Sequence, residues 1–247
     1  VTYLNKKELP KVETRLEIKN EVGNGPAQLF IYGRIRPALP WDNEDDDTHI
    51  SAKTVRNKLN EVAEDKDLEV HVNSPGGEVF ESITIRNLLV QHKGDVKIII
   101  DGLAASGASL IATAGKVIMF ENSMQMIHKA WGMAIGNSDD MEKMAEDLKK
   151  VDESVLASYM KKFVGEKEEL KELISDETWL TAEEALTFGL ADEIWEDAEE
   201  DDENGEGAQN NTKENLFMKY RKQNNSKKPD KESGLFNAFK KSQGDDN

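Results

Sequence analysis

The amino-acid sequence predicts a mixed α/β domain, and three observations carry that prediction. Leu68–Val72 (LEVHV) alternates apolar and polar residues as a half-buried strand does. It runs into Asn73–Gly77 (NSPGG), where proline and paired glycines end the strand. A helical pattern follows from about Glu78 to His92, with Val79, Ile83, Ile85, Leu88 and Leu89 apolar. A second, β-branched run, Val96–Ile100, completes a strand–turn–helix–strand unit of the βαβ kind.

Around this unit the elements can be read in order. Residues 1–27 form a mixed polar segment in which Gly23, Gly25 and Pro26 mark a loop. Gln28–Arg36 (QLFIYGRIR) predicts a first strand, and Pro37–Asp47 a solvated acidic loop without the spaced glutamate of a calcium site. Ser51–Glu64 predicts a helix capped by Ser51, with Val55, Leu59 and Val62 on one face. After Ile100 comes DGLAASGASLIATAG, in which small residues crowd around Ser106 before an apolar run, Ala108–Ala112. By itself this stretch reads as an N-cap serine among close-packing residues. The same placement also suits a nucleophile, because the unpaired amides at a helix start can stabilise an oxyanion.

Lys116–Phe120 and Met124–His128 predict two short strands, and His128 stands at the end of the second, before KAWGMAIGN. His49, His71 and His92 lie by the acidic loop, within a strand and near a helix end. His128 is the one at a strand terminus, where α/β sheets tend to present functional groups. Ser138–Phe163 predicts a long charged helix whose apolar positions exceed what one small domain needs. Lys167–Ile174 predicts a short helix. In SDETWLTAEEALTFGLADEIW, Thr181 and Glu184 form a capping box for a helix ending at Gly189, and Asp176 and Glu177 lie just ahead of it.

The 247 residues with 37% hydrophobic content allow one sizeable domain, placed at 28–197. From 198 to 247 an acidic stretch gives way to a basic, Asn-rich one, a tail expected to be disordered. The net charge of −17 argues against nucleic-acid or anionic-membrane partners. No apolar run approaches the roughly 18 residues of a membrane span, and the start lacks the apolar core of a signal peptide. Absence of cysteine removes thiol chemistry and fits a cytoplasmic location; neither cofactor nor metal is expected.

Ser106, His128 and a following acid are the parts of a Ser–His–acid triad. The ordered set NSPGG, AAS, MIH and an acid before a TAEEA helix resembles the Clp protease proteolytic subunit (ClpP) family of serine peptidases, over roughly Gln28–Trp195. The resemblance implies a ClpP/crotonase-like fold of repeated β–β–α spiral units. It makes Ser106 the nucleophile, His128 the general base, and Gly76 and Gly107 the oxyanion amides. The family register favours Glu177 as the acid, with Asp176 as the alternative. It also implies a homo-oligomeric ring built through the long helix and Gly132–Asn137. DGLAASGAS stands where housekeeping subunits have GQAASMGA, and ISDETW lacks their arginine. IDGLAAS and ETWLTAEEA look more like the ClpP-like head maturation proteases of tailed phages and prophages. That likeness implies capsid or scaffold proteins as substrates and a location in the bacterial host cytoplasm or within procapsids. The alternative is a housekeeping-type proteolytic subunit of an ATP-dependent Clp protease that docks an unfoldase ATPase, a partner the polar Asn5–Lys11 stretch disfavours. A crotonase using similar amides, and a non-catalytic assembly protein, are the remaining readings.

Overall fold

A computed structural model of the chain describes residues 12–20, 25–40, 42 and 49–195, together with the backbone of 211–212. In chain order these residues form β1 (Arg15–Lys19), β2 (Ala27–Tyr32), α1 (Ala52–Leu59), β3 (Leu68–Ser74), α2 (Val79–Val90), β4 (Val96–Ala105) and α3 (Gly107–Ala112). There follow β5 (Lys116–Phe120), β6 (Met124–Ile127), α4 (Ser138–Tyr159), α5 (Lys167–Ser175), β7 (Thr178–Thr181), α6 (Ala182–Thr187), β8 (Glu193–Trp195) and β9 (Asn211–Thr212). The main path of the sheet runs β1-β2-β3-β4-β5-β8-β9, with β6 pairing both β4 and β7. This mixed α/β architecture agrees with the predicted fold class.

The alternation in LEVHV works as expected. Leu68, Val70 and Val72 are fully buried on one face of β3, whereas Glu69 and His71 are only partly covered on the other. Parallel pairing of β3 with β4 places Val70 beside Ile98 and Val72 beside Ile100. Ile85 and Leu89 of α2 and Leu110 and Ile111 of α3 join them in one core. The α1 helix is capped by Ser51 as predicted, with Thr54 completing the capping box.

Where the structure departs from the sequence expectation, pairing is the cause. Arg15–Lys19, inside the segment read as polar, adds an antiparallel strand along β2. Four- and three-residue strands such as β7 and β8 are too short to show a period in sequence. The largest difference is β4, which runs five residues beyond Ile100. Its first half pairs with β5, at Lys97–Ile100 against Lys116–Met119. Its second half leaves β5 and pairs with β6, at Leu103–Ala105 against Met124–Met126. The small residues of DGLAAS thus belong to a strand rather than to a turn, and the strand delivers Ser106 where the two pairings diverge. Of the tail, Asn211–Thr212 pair antiparallel with Glu193–Ile194; the rest of 198–247 lies outside the described residues.

Candidate active site

Ser106 stands between the end of β4 and the first turn of α3, with φ 54° and ψ −124°. A non-glycine residue rarely adopts positive φ, and such strain persists only where the surroundings over-determine it. Here Ser106 N–H donates to Met126 O at 2.8 Å, fixing the turn to β6. Ser109 Oγ bonds Ser106 O at 2.6 Å and Met126 O at 2.9 Å, and meets the hydroxyl of fully buried Tyr159 at 2.7 Å. The β4–β6 pairing also brings the end of β6 alongside the serine. His128 follows directly, and its Nε2 lies 2.7 Å from Ser106 Oγ. When the hydroxyl donates, Nε2 is the unprotonated nitrogen and Nδ1 carries the hydrogen.

Burial holds the His128 pKa below its ordinary value, because a charged imidazole loses water there. The negative charges of Glu177 and Asp152 oppose that shift. Glu177 reaches the imidazole through strand register. The antiparallel pairing of β6 with β7 runs from Met124↔Thr181 to Ile127↔Thr178, so its next step sets His128 opposite Glu177. Asp176 is one residue out of this register and closes α5 as its C-cap. Glu177 itself holds φ 52°, the other non-glycine positive φ among the described residues. No hydrogen bond joins Glu177 to His128 among the described residues, so the carboxylate acts on the ring through its charge.

The NSPGG turn packs directly against the serine. A Cβ on Gly76 would come within 2.4 Å of Ala105 O and 2.6 Å of Gly107 N, which leaves room for glycine alone. The two amides expected to face an oxyanion differ in their commitments. Gly107 N–H is at the first position of α3, where no intrahelical acceptor exists. Gly76 N–H, by contrast, donates to Ser74 Oγ at 3.0 Å, and Ser74 Oγ in turn donates to Gly33 O at 2.6 Å. Among the described residues, the amide of the glycine pair that meets no acceptor is that of Gly77, 3.5 Å from where a Cβ on Gly107 would sit. Sequence reasoning missed Ser74, although the serine within NSPGG was the available signal. It also missed Asp152, which looks like one more charge on a solvated helix. Ser106, Gly107, Gly76 and His128 are brought together, Glu177 falls in register with the histidine and adds its charge to the ring's surroundings, and Asp176 is one residue out of that register.

Beyond His128, residues 129–136 leave the sheet with neither helix nor strand structure. Trp131, Met133 and Ile135 are 76%, 82% and 92% exposed on this segment. The apolar side of α4 is buried at Val155, Leu156 and Tyr159 and partly covered at Met144, Leu148 and Val151, while Met141 stays exposed. No helix among the described residues is long and apolar enough to cross a membrane.

Comparison with known proteins agrees with the motif order. The profile of the family described as Clp protease matches residues 43–198. Two curated relatives from Bacteroides fragilis, strains ATCC 25285 and YCH46, are each named ATP-dependent Clp protease proteolytic subunit. Each is 32% identical in an alignment of 154 positions that covers 55% of this chain. The match covers 67% of the first relative's length and 63% of the second's, so just under two thirds of the latter.

Proposed function

Because the chain belongs to the Clp protease family, a family of peptidases, we propose that it is a serine endopeptidase with Ser106 as nucleophile and His128 as general base. The observation that carries this reading is the 2.7 Å contact between Ser106 Oγ and His128 Nε2 at the start of α3. Ser106 Oγ attacks a peptide carbonyl while Nε2 takes its proton, and the imidazolium then protonates the leaving amine. Glu177 offsets the positive charge on the ring. Gly107 N–H and Gly77 N–H donate to the tetrahedral oxyanion, with Gly77 replacing Gly76 because the latter's amide serves Ser74. Water then releases the acyl chain by the same proton path in reverse.

A fluorophosphonate probe tests the nucleophile without knowledge of the substrate. Wild type should be labelled at Ser106, and Ser106→Ala and His128→Gln should not be. Labelling that survives Ser106→Ala would overturn the assignment.

DGLAASGAS, ETWLTAEEA and the missing arginine support a phage-type peptidase that trims capsid or scaffold proteins during head assembly. The names of the two relatives favour a second reading, a proteolytic subunit working with an ATPase. Cleavage of a capsid or scaffold chain without ATP supports the first; cleavage that needs an added unfoldase and ATP supports the second.

Both readings assign the chain to a homo-oligomer. Exposed Trp131, Met133 and Ile135, with the uncovered part of α4, form an apolar surface adjoining the site, of the kind that marks protein contacts. Light scattering at micromolar concentration should give a multiple of the 27.7 kDa chain mass, and a strictly monomeric mass would exclude this assembly.

A further inference from the structure

Two carboxylates act on the His128 imidazole, and the reaction above uses only one of them. The charged groups that act on the ring are Glu177, from the turn ahead of β7, and Asp152, from α4. Asp152 is partly buried, and its Oδ1 accepts a hydrogen bond from Ala130 N–H at 2.8 Å. That amide lies two residues beyond the histidine, where the chain has left β6. Among the described residues, no other hydrogen bond reaches the backbone of 129–136. One side chain of α4 therefore combines two properties: it ties down the segment leaving His128, and it brings a negative charge to the histidine's surroundings. A carboxylate on a solvated helix face would do neither.

We propose that Asp152 is a positioning residue for the general base, anchoring the segment after His128 through Ala130 N–H and holding a second negative charge near the imidazole. The proposal rests on the serine-peptidase reading for its consequence, because the charge is useful when Ser106 passes its proton to Nε2. The imidazolium then formed is stabilised by two carboxylates, so the base keeps more of its basicity than burial alone would leave it. The sign of the effect is fixed. Removing a negative charge disfavours the protonated ring, so the pH at which His128 loses its proton falls.

Asp152→Asn separates the two roles, since the amide oxygen still accepts from Ala130 N–H but the charge is gone; Asp152→Ala removes both. In the full chain, His128 is titrated by NMR at its Cε1–H, assigned by comparison with His128→Gln, and the rate of fluorophosphonate labelling is followed against pH. For Asp152→Asn the His128 midpoint should move down and the high-pH labelling rate should fall by about threefold, because the base is weaker but still anchored. For Asp152→Ala the same downward movement should come with a labelling rate lower by about tenfold, because the base is less well placed. An Asp152→Asn titration that superimposes on wild type overturns the electrostatic role. A high-pH rate for Asp152→Ala equal to that of Asp152→Asn overturns the anchoring role. If Asp152→Ala does not fold, loss of the wild-type labelling rate in Asp152→Asn without a moved midpoint also counts against the proposal. Failure of the peptidase reading is seen separately, as absence of Ser106 labelling in wild type, and leaves the NMR titration readable.

Discussion

Glu177→Gln is expected to lower turnover by about 10⁴-fold, the loss seen when the acid of a Ser–His–acid triad becomes an amide. The register of β6 against β7 is the basis: Ile127↔Thr178 is the last ladder pair, and the next step sets Glu177 opposite His128. Glutamine keeps the shape but no longer balances the imidazolium that forms when His128 takes the serine proton. Asp176→Asn, one residue out of register on the cap of α5, should leave turnover near wild type. Neither change touches the core, since both residues are exposed, so circular dichroism and the denaturation midpoint should stay close to wild type. Hydrolysis of a fluorogenic peptide by the two variants decides between the acids. Full activity in Glu177→Gln with none in Asp176→Asn would reverse the assignment. The positive φ of Glu177 belongs to the same argument, because the chain must turn sharply out of α5 to enter β7 beside the histidine.

Gly77→Ala should be the most damaging single methyl group that can be added near the site. Its Cβ would lie 1.8 Å from Ile35 O, an overlap that demands backbone movement. Ile35 is poorly placed to yield. Its N–H donates to Gly76 O at 2.9 Å, its carbonyl accepts from Glu78 N–H at 3.0 Å, and Arg36 N–H next to it bonds Ile50 O at 2.9 Å. At φ 154°, Gly77 also occupies a conformation that residues with a Cβ rarely adopt. The expected loss is about 3 kcal/mol or more, the range of overpacking combined with backbone strain. Urea denaturation reads it as a lower midpoint. In the fraction that still folds, displacement of the Gly77 amide should slow fluorophosphonate labelling, since one oxyanion donor typically contributes about 10²-fold or more. Gly25→Ala, with nothing among the described residues within 4 Å of the new Cβ, is the neutral control. A Gly77→Ala variant as stable and as reactive as that control would show that the NSPGG turn is neither rigid nor part of the oxyanion site.

Much of the site was legible in the sequence because its signals are local. Ser106 among small residues, His128 at the end of an apolar strand and the Thr181–Glu184 capping box each declare themselves within a few neighbours. The order of these motifs also pointed to the family that the profile match now supports. What remained illegible depends on which backbone groups are already occupied. Nothing in NSPGG reveals that Ser74 Oγ accepts from Gly76 N–H, because the orientation of Ser74 is fixed by Gly33 O, 41 residues earlier in the chain. Asp152 was equally unreadable, as one acid among many on α4 until the fold sets it against Ala130.

The sequence by itself determined the α/β class, the βαβ unit from Leu68 to Ile100, and the places of Ser106 at a helix start and His128 at a strand end, since short-range periodicity and turn chemistry encode all of these. The tertiary structure decided three further matters. It extended β4 to Ala105, because its second half exchanges β5 for β6 as a neighbour. It set Glu177, and not Asp176, in register with His128, because an antiparallel ladder turns a difference of one residue into a different position along it. And, among the described residues, it committed the Gly76 amide to Ser74 Oγ and gave that of Gly77 no acceptor, because each backbone N–H has one hydrogen to give, and only the folded chain shows where it has been given.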